Sequence, residues 1–256
     1  MGFSLSWYAI GASVTGTSHI STNRVCEDSC WFQTDTLPNG PFLAVFVADG
    51  AGSASHGEIG AELAMQAAAE KVAEKTAKGE FGIADELAVE CVLAIRMRLE
   101  SYAAEHSLVM RDLACTFLGV VSLPQASLAM QIGDGGIVLN AGKGLELAIV
   151  PMSGEYANMT SFVTDENAVK ALQTREYIGQ LTEVAVFSDG LQRIALQLAT
   201  NTPHVPFFSP FFDALRRATP EDEDALHQAL NNFLNSERVN SRTDDDKTLV
   251  VATFNE

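Results

Sequence analysis

Basic residues are scarce in this chain. Only 16 Lys and Arg stand against 33 Asp and Glu, a formal net charge of −17 at pH 7. A surface of that sign repels nucleic-acid backbones and anionic bilayers, so no nucleic-acid partner is expected. Cysteine is thin as well: Cys26, Cys30, Cys91 and Cys115 form no C-x-x-C pair and resemble neither a zinc knuckle nor a disulfide framework. They read as reduced thiols. No apolar run approaches the roughly 20 residues of a membrane helix. The first twenty residues carry no Lys or Arg ahead of their apolar part, so neither a span nor a secretory leader is expected. A cytoplasmic, monomeric protein fits these absences.

Charged residues make up only 19% of the chain, which leaves little room for long disordered tracts, whereas 47% hydrophobic content supplies a substantial core. No linker interrupts residues 1–256, so one domain is expected. Two short patterns, Met1-Gly2 with Ser6 for myristoylation and Asn158-Met159-Thr160 for glycosylation, are the kind that arise by chance.

"SWYAIGAS" and "SCWFQTD" are strand-like, and "FLAVFVA" is a continuous apolar run suited to a strand buried on both faces. The three together suggest an early sheet. Residues 56–75 and 85–105 repeat apolar side chains at helical spacing, with Leu87, Cys91, Ile95 and Leu99 on one stripe and a break at 79–82. Then come "LACTFLGVVSL", "ASLAMQIGD", "GGIVLNAG" and "LELAIVP", which read as an antiparallel meander. "EVAVFSDG", two amphipathic stretches at 210–218 and 220–234, and a final strand "TLVVATF" complete the chain. Strands grouped with strands and helices with helices predict an α+β fold. Residues 153–160 and 201–208 are candidate substrate-facing loops, although "TPHVPFFSPFF" reads better as packing between elements.

Acids recur at the strand boundaries: Glu27-Asp28 before "SCWF", Asp49-Gly50 after "FVA", Asp134 between two glycines after "MQI", Asp189-Gly190 after "VAVFS", and Asp244-Asp245-Asp246 before "TLVVATF". One such acid is a turn, but five at strand ends suggest convergence on one site. Clustered carboxylates repel unless cations lie among them. The donors are all oxygens, which favours Mg²⁺ or Mn²⁺.

In order and spacing, Glu27-Asp28, Asp49-Gly50-x-Gly52, Gly133-Asp134-Gly135, Ser188-Asp189-Gly190-Leu191 and Asp245-Asp246-x-Thr248 resemble the metal-dependent protein phosphatase family of the protein phosphatase 2C type. The likeness spans nearly the whole chain, and "GTSHISTNRVCEDSC" with "SGEYANMTSF" is similar to a compact bacterial branch. It implies a β-sandwich of two antiparallel sheets flanked by pairs of α-helices, with the metal site at one end. It also implies a serine/threonine phosphoprotein phosphatase that attacks phosphomonoesters with a metal-activated water. Its partner would be a phosphoprotein substrate, in opposition to a Ser/Thr kinase. By the same resemblance Asp49 bridges two Mn²⁺ or Mg²⁺ ions, Gly50 (through its carbonyl) and Glu27 bind one, and Asp189 and Asp245 bind the other. Asp134 helps hold a weaker third ion with Asp189, Asp28 orients waters, and Asp246 supports the site from behind.

Two positions depart from the family. Asn23 stands where many relatives have a phosphate-gripping Arg, and strand register would turn the adjacent Arg24 to the opposite face. Ala51 stands where many have a His that protonates the leaving group; a water, His19 or His56 could take that role, and His19 is the candidate nearest the same edge. These departures are the foothold of an alternative, a pseudophosphatase that binds phosphoproteins without turnover. A related hydrolase of small phosphoesters is a third reading, with a nuclease disfavoured by the missing basic groove.

Overall fold

A computed structural model describes residues 5–78, 82–150 and 160–255. Gly2, Asn158 and most of the candidate loop 153–160 lie outside the described residues.

The chain opens with β1 (Ser6–Val14) and a short α1 (Thr17–Ser21), followed by the hairpin β2 (Asp28–Leu37) and β3 (Gly40–Asp49). Two long helices, α2 (Gly57–Lys78) and α3 (Asp85–His106), come next. Strands β4 (Phe117–Ser122), β5 (Ala126–Ile132), β6 (Gly136–Asn140) and β7 (Leu145–Leu147) follow, then α4 (Ala168–Ala171), β8 (Gln173–Ile178) and β9 (Glu183–Phe187). After α5 (Gln192–Ala195) a small ribbon, β10 (Leu196–Gln197) with β11 (Thr202–Pro203), leads into α6 (Val205–Arg217), α7 (Glu223–Leu234), α8 (Glu237–Asn240) and the final strand β12 (Lys247–Asn255).

Two five-stranded antiparallel sheets stack face to face, one ordered β1-β12-β9-β6-β7 and the other β2-β3-β4-β5-β8. The period of two along β3 explains the layering. Leu43, Val45 and Val47 point between the sheets, while Phe42, Ala44, Phe46 and Ala48 point outward under α2 and α3, and all are fully buried. β12 repeats the device in the other sheet, with Val250 and Ala252 inward and Leu249 and Val251 outward beneath α6 and α7. The predicted stripe Leu87, Cys91, Ile95 and Leu99 lies on the buried face of α3, where each large aliphatic side chain contributes about 1.5–3 kcal/mol.

The structure departs from two expectations of strand grouping. β1 does not join β2 and β3 but pairs with the C-terminal β12, Ser6 opposite Asn255 through Val14 opposite Lys247. The expected meander is split, because β4 and β5 stay in one sheet while β6 and β7 cross to the other. The crossing is made at Gly133 and Gly135, whose φ values of +98° and +103° are strained for any side-chain-bearing residue. "TPHVPFFSPFF" packs as expected, but as the start of α6 rather than as loop: Phe207, Phe208 and Phe212 are buried against Phe187 and the sheet.

Candidate active site

Antiparallel order brings alternate strand ends to one edge of the sandwich. The pairings Asp28 with Asp49, Phe117 with Ile132, Gly136 with Phe187, and Leu249 with Phe187 put the start of β2, β4, β6 and β12 beside the end of β3, β5 and β9. The acids flanking those ends are therefore gathered although Glu27 and Asp246 lie 219 residues apart. A cleft of about 210 Å³ opens there, lined by His19, Glu27, Asp49, Gly50, Asp134, Asp189, Asp245 and Asp246, with Thr116, Thr160 and Phe162 on its sides. Every predicted site residue lines it except Asp28, which is buried immediately beneath.

Backbone bonds fix the floor. Asp49 N–H donates to Thr116 Oγ1 at 2.9 Å, and Thr116 N–H returns a bond to the Asp49 carbonyl at 2.8 Å. Gly50 N–H donates to the Glu27 carbonyl at 3.0 Å, and a Cβ at this position would stand 2.5 Å from the Gly57 carbonyl carbon. Only glycine lets the chain turn here against the start of α2. Gly190 is constrained likewise, since a Cβ would overlap the Asp246 carbonyl oxygen.

Asp246, although it lines the cleft, has both oxygens engaged and works as a hub. Its Oδ1 accepts from Gly16 N–H at 2.6 Å, and its Oδ2 accepts from Glu27 N–H at 2.6 Å and faces His19 Nδ1 at 3.0 Å. An ionised carboxylate only accepts, so His19 Nδ1 carries the hydrogen and Nε2 is left as the free ring nitrogen. His56, the other candidate proton donor, is absent from the cleft lining and hydrogen-bonds Ser55 Oγ at 3.0 Å. Arg24 is in the loop before β2, not in a strand, so the register argument does not govern it; its guanidinium pairs with Glu27 Oε1.

The acids behave as an unneutralised cluster. Burial and the neighbouring Asp28 and Asp189 charges push the Asp49 carboxyl well above the usual range. Burial also lifts Asp28 to about 7, against the hydrogen bonds of Ser188 and Thr248 that pull it down. Asp189 rises to about 6, through burial and then the charge of Asp134. Glu27 is raised by burial, and the Arg24 guanidinium partly offsets this. Among the described residues, Glu27 Oε2 and Asp28 Oδ1 are buried without a hydrogen-bond partner. Orphaned oxygens and mutually repelling acids are what a divalent cation would relieve, so the donor set fits one. Among the described residues no three His, Cys, Asp or Glu side chains close on a single point. The acids ring an open cleft instead, an arrangement suited to Mg²⁺ and similar hard cations that retain several waters.

The sequence reading missed three supports. Ser188 Oγ donates to Asp28 Oδ2 at 2.6 Å and accepts from Thr248 N–H at 3.0 Å, tying both sheets to the buried acid. Thr160 Oγ1 donates to Asp134 Oδ2 at 2.8 Å. Arg96 of α3 donates to the Val163 and Asp165 carbonyls at 2.6 and 2.5 Å, fastening the segment that carries Phe162 to the cleft wall. Ser188 stands inside the quoted "SDG" and could have been found there; Arg96 carries no local signal.

Comparison with known proteins agrees with this construction. Residues 15–235 match the family model described as Protein phosphatase 2C. The chain is 51% identical over 253 residues to Serine/threonine-protein phosphatase 3 of Escherichia coli (strain K12), covering 98% of this chain and all of that one. Among solved structures, a serine/threonine phosphatase from S. agalactiae superposes with a TM-score of 0.60 at 15% identity, covering 97% of this chain and 99% of that chain. The serine/threonine phosphatase Stp1 from Staphylococcus aureus gives 0.57 at 16%, with 99% and 97% coverage. RsbX in complex with magnesium gives 0.55 at 13%, with 97% and 96% coverage. At those identities the structures speak for the fold alone; with the sequence matches over most of the chain, they mean that this chain belongs to the protein phosphatase 2C family.

Proposed function

We propose that this serine/threonine protein phosphatase hydrolyses phosphoserine and phosphothreonine monoesters at the carboxylate cleft, with Mn²⁺ or Mg²⁺ held by its acids. The observation that carries the reading is the ring of Glu27, Asp49, Asp134, Asp189 and Asp245 around one cleft, with the unpaired Glu27 Oε2 beside it. Asp49, Gly50 and Glu27 would hold one such ion, Asp49 with Asp189 and Asp245 a second, and Asp134 with Asp189 a weaker third. When bound, these cations supply charge neutralisation for the phosphate and activation of a water for in-line attack.

The chain's own groups account for the rest. Asp28, behind Asp49, has one oxygen bonded to Ser188 and one free, and orients the attacking water through that free oxygen. As the water oxygen bonds to phosphorus, the bond from phosphorus to the Ser or Thr oxygen breaks. His19, having first taken a proton from solvent at its free Nε2, gives that proton to the departing oxygen while the attacking water loses its own to solvent, and Asp246 keeps the ring in place. Arg24 is not among the residues lining the cleft, and its guanidinium is engaged by Glu27, so it would have to give up that bond to meet the phosphate. The magnesium present in the RsbX structure and the phosphatase name of the 51% identical E. coli protein support the reading. Opposition to a Ser/Thr kinase follows from the substrate class.

The test is hydrolysis of p-nitrophenyl phosphate and of a phosphothreonine peptide, with Mn²⁺, Mg²⁺ or EDTA. Wild type turns over with metal only, and Asp49→Asn, still folded by circular dichroism, loses on the order of a thousandfold or more. A wild type that binds Mn²⁺ by calorimetry yet releases no phosphate is instead the pseudophosphatase.

A further inference from the structure

On the outer face of the β1-β12-β9 sheet, away from the acids, α6, α7 and α8 enclose a cavity of about 490 Å³. Its volume falls within the usual range of small-molecule sites. The floor is apolar and deep: Ile10, Phe207, Leu230 and Val239 are buried, and Phe233 closes one side. The rim is basic. His204, Arg238 and Arg242 line the mouth and are exposed, and no Asp or Glu is among the lining residues although the chain has 33 of them. Arg238, within α8, and Arg242, two residues beyond its end, are four apart, and among the described residues neither guanidinium is in an ion pair with a carboxylate. In so acidic a molecule, two arginines without counter-ions over an apolar well form an unmatched feature. Its complement is an apolar body ending in one anionic head.

We propose that this cavity binds a single-chain amphiphile with one anionic head group, the chain seated on Phe207, Leu230 and Phe233 and the head on Arg238 and Arg242. A fatty carboxylate and a monoalkyl phosphate share that chemistry. The site is independent of the phosphatase cleft, and its test needs no catalysis.

Laurate, dodecyl phosphate and dodecanol are titrated, each below its critical micelle concentration, into the full chain in EDTA, with binding read by calorimetry. One saturable site is expected for the two anions. Dodecanol should bind at least tenfold more weakly, and the double variant Arg238→Ala/Arg242→Ala should weaken both anions by at least tenfold. Tighter laurate assigns the site to carboxylates and tighter dodecyl phosphate to phosphates. Ala229→Trp, at an exposed lining position of α7, should abolish binding by filling the well, with an unchanged circular dichroism spectrum; Ala214→Met on α6 serves the same purpose if that variant does not fold. No saturable binding, equal binding of dodecanol and laurate, or binding untouched by the filled cavity would each overturn the proposal. So would exclusive binding of a partner's peptide at the same rim.

Discussion

The Ser188 hydroxyl holds down the pKa of the acid beneath the cleft, which burial pushes up. Asp28 is buried to 8% exposure beneath the cleft, and the Ser188 hydroxyl is the first of the groups opposing its rise in pKa. Removing that donor leaves the ionised form unsolvated, so Ser188→Ala raises the Asp28 pKa further. The acidic limb of the pH–rate profile is then expected to move to higher pH, with the alkaline limb unchanged; a limb that stays put separates Asp28 from the rate. His19, on the cleft lining, is the proposed proton donor. His19→Ala should slow the phosphothreonine peptide by about a hundredfold or more and p-nitrophenyl phosphate far less, because nitrophenolate leaves without a proton. Equal loss on both substrates rejects the proton-donor role and leaves His19 as a prop for Asp246.

Strand ends, and the glycines beside them, are the elements that build the site. The turn after β9 approaches the loop before β12 so closely that Gly190 has no room for a methyl group against the Asp246 carbonyl. Gly190→Ala must push these two loops apart, and Asp189 and Asp245 travel with them. The expected cost is about 1–3 kcal/mol of stability, read by urea unfolding, and about a tenfold increase in the Mn²⁺ concentration needed for half-activation. Unchanged metal dependence in a destabilised variant would mean that Asp189 and Asp245 do not act as one pair. These boundaries were legible in the sequence, because an apolar run that stops at Asp-Gly marks both an end and an acid. The partner strands were not. β1 reads as a neighbour of β2 on local pattern, yet its edge is closed by β12 from the opposite terminus. Hydrogen-bond pairing between distant strands leaves no trace in the alternation of either one.

Across the whole molecule, the carboxylate cluster is a strain that folding accepts. Asp28 moves from an ordinary 3.8 to about 7 and Asp189 from 3.8 to about 6, so the folded state binds protons more tightly than the unfolded chain between those values. Stability in EDTA is therefore expected to fall as pH rises from about 4 to about 7. Mn²⁺ should reverse this trend, since it binds the ionised acids of the folded state, with the largest gain in melting temperature at the upper end of the window. Asp49→Asn should flatten the slope in EDTA. A melting temperature that rises with pH across that window without metal would contradict the cluster's mutual repulsion.

The sequence by itself determined the fold class, the two-faced burial of β3, the helix stripe on α3 and the identity of the acids, because all of these are written in local periodicity and residue type. Only the tertiary structure decided how the acids sit along the edge where the sequence reading expected them to converge, that Asp28 lies below the cleft while Asp246 works as a hub, and that Arg24 reaches Glu27. It alone built the basic-rimmed cavity under α6 and α7 as well. The physical reason is the same throughout: a carboxylate's charge state and partners depend on what the fold packs against it, and those neighbours arrive from strands and helices far away in the chain.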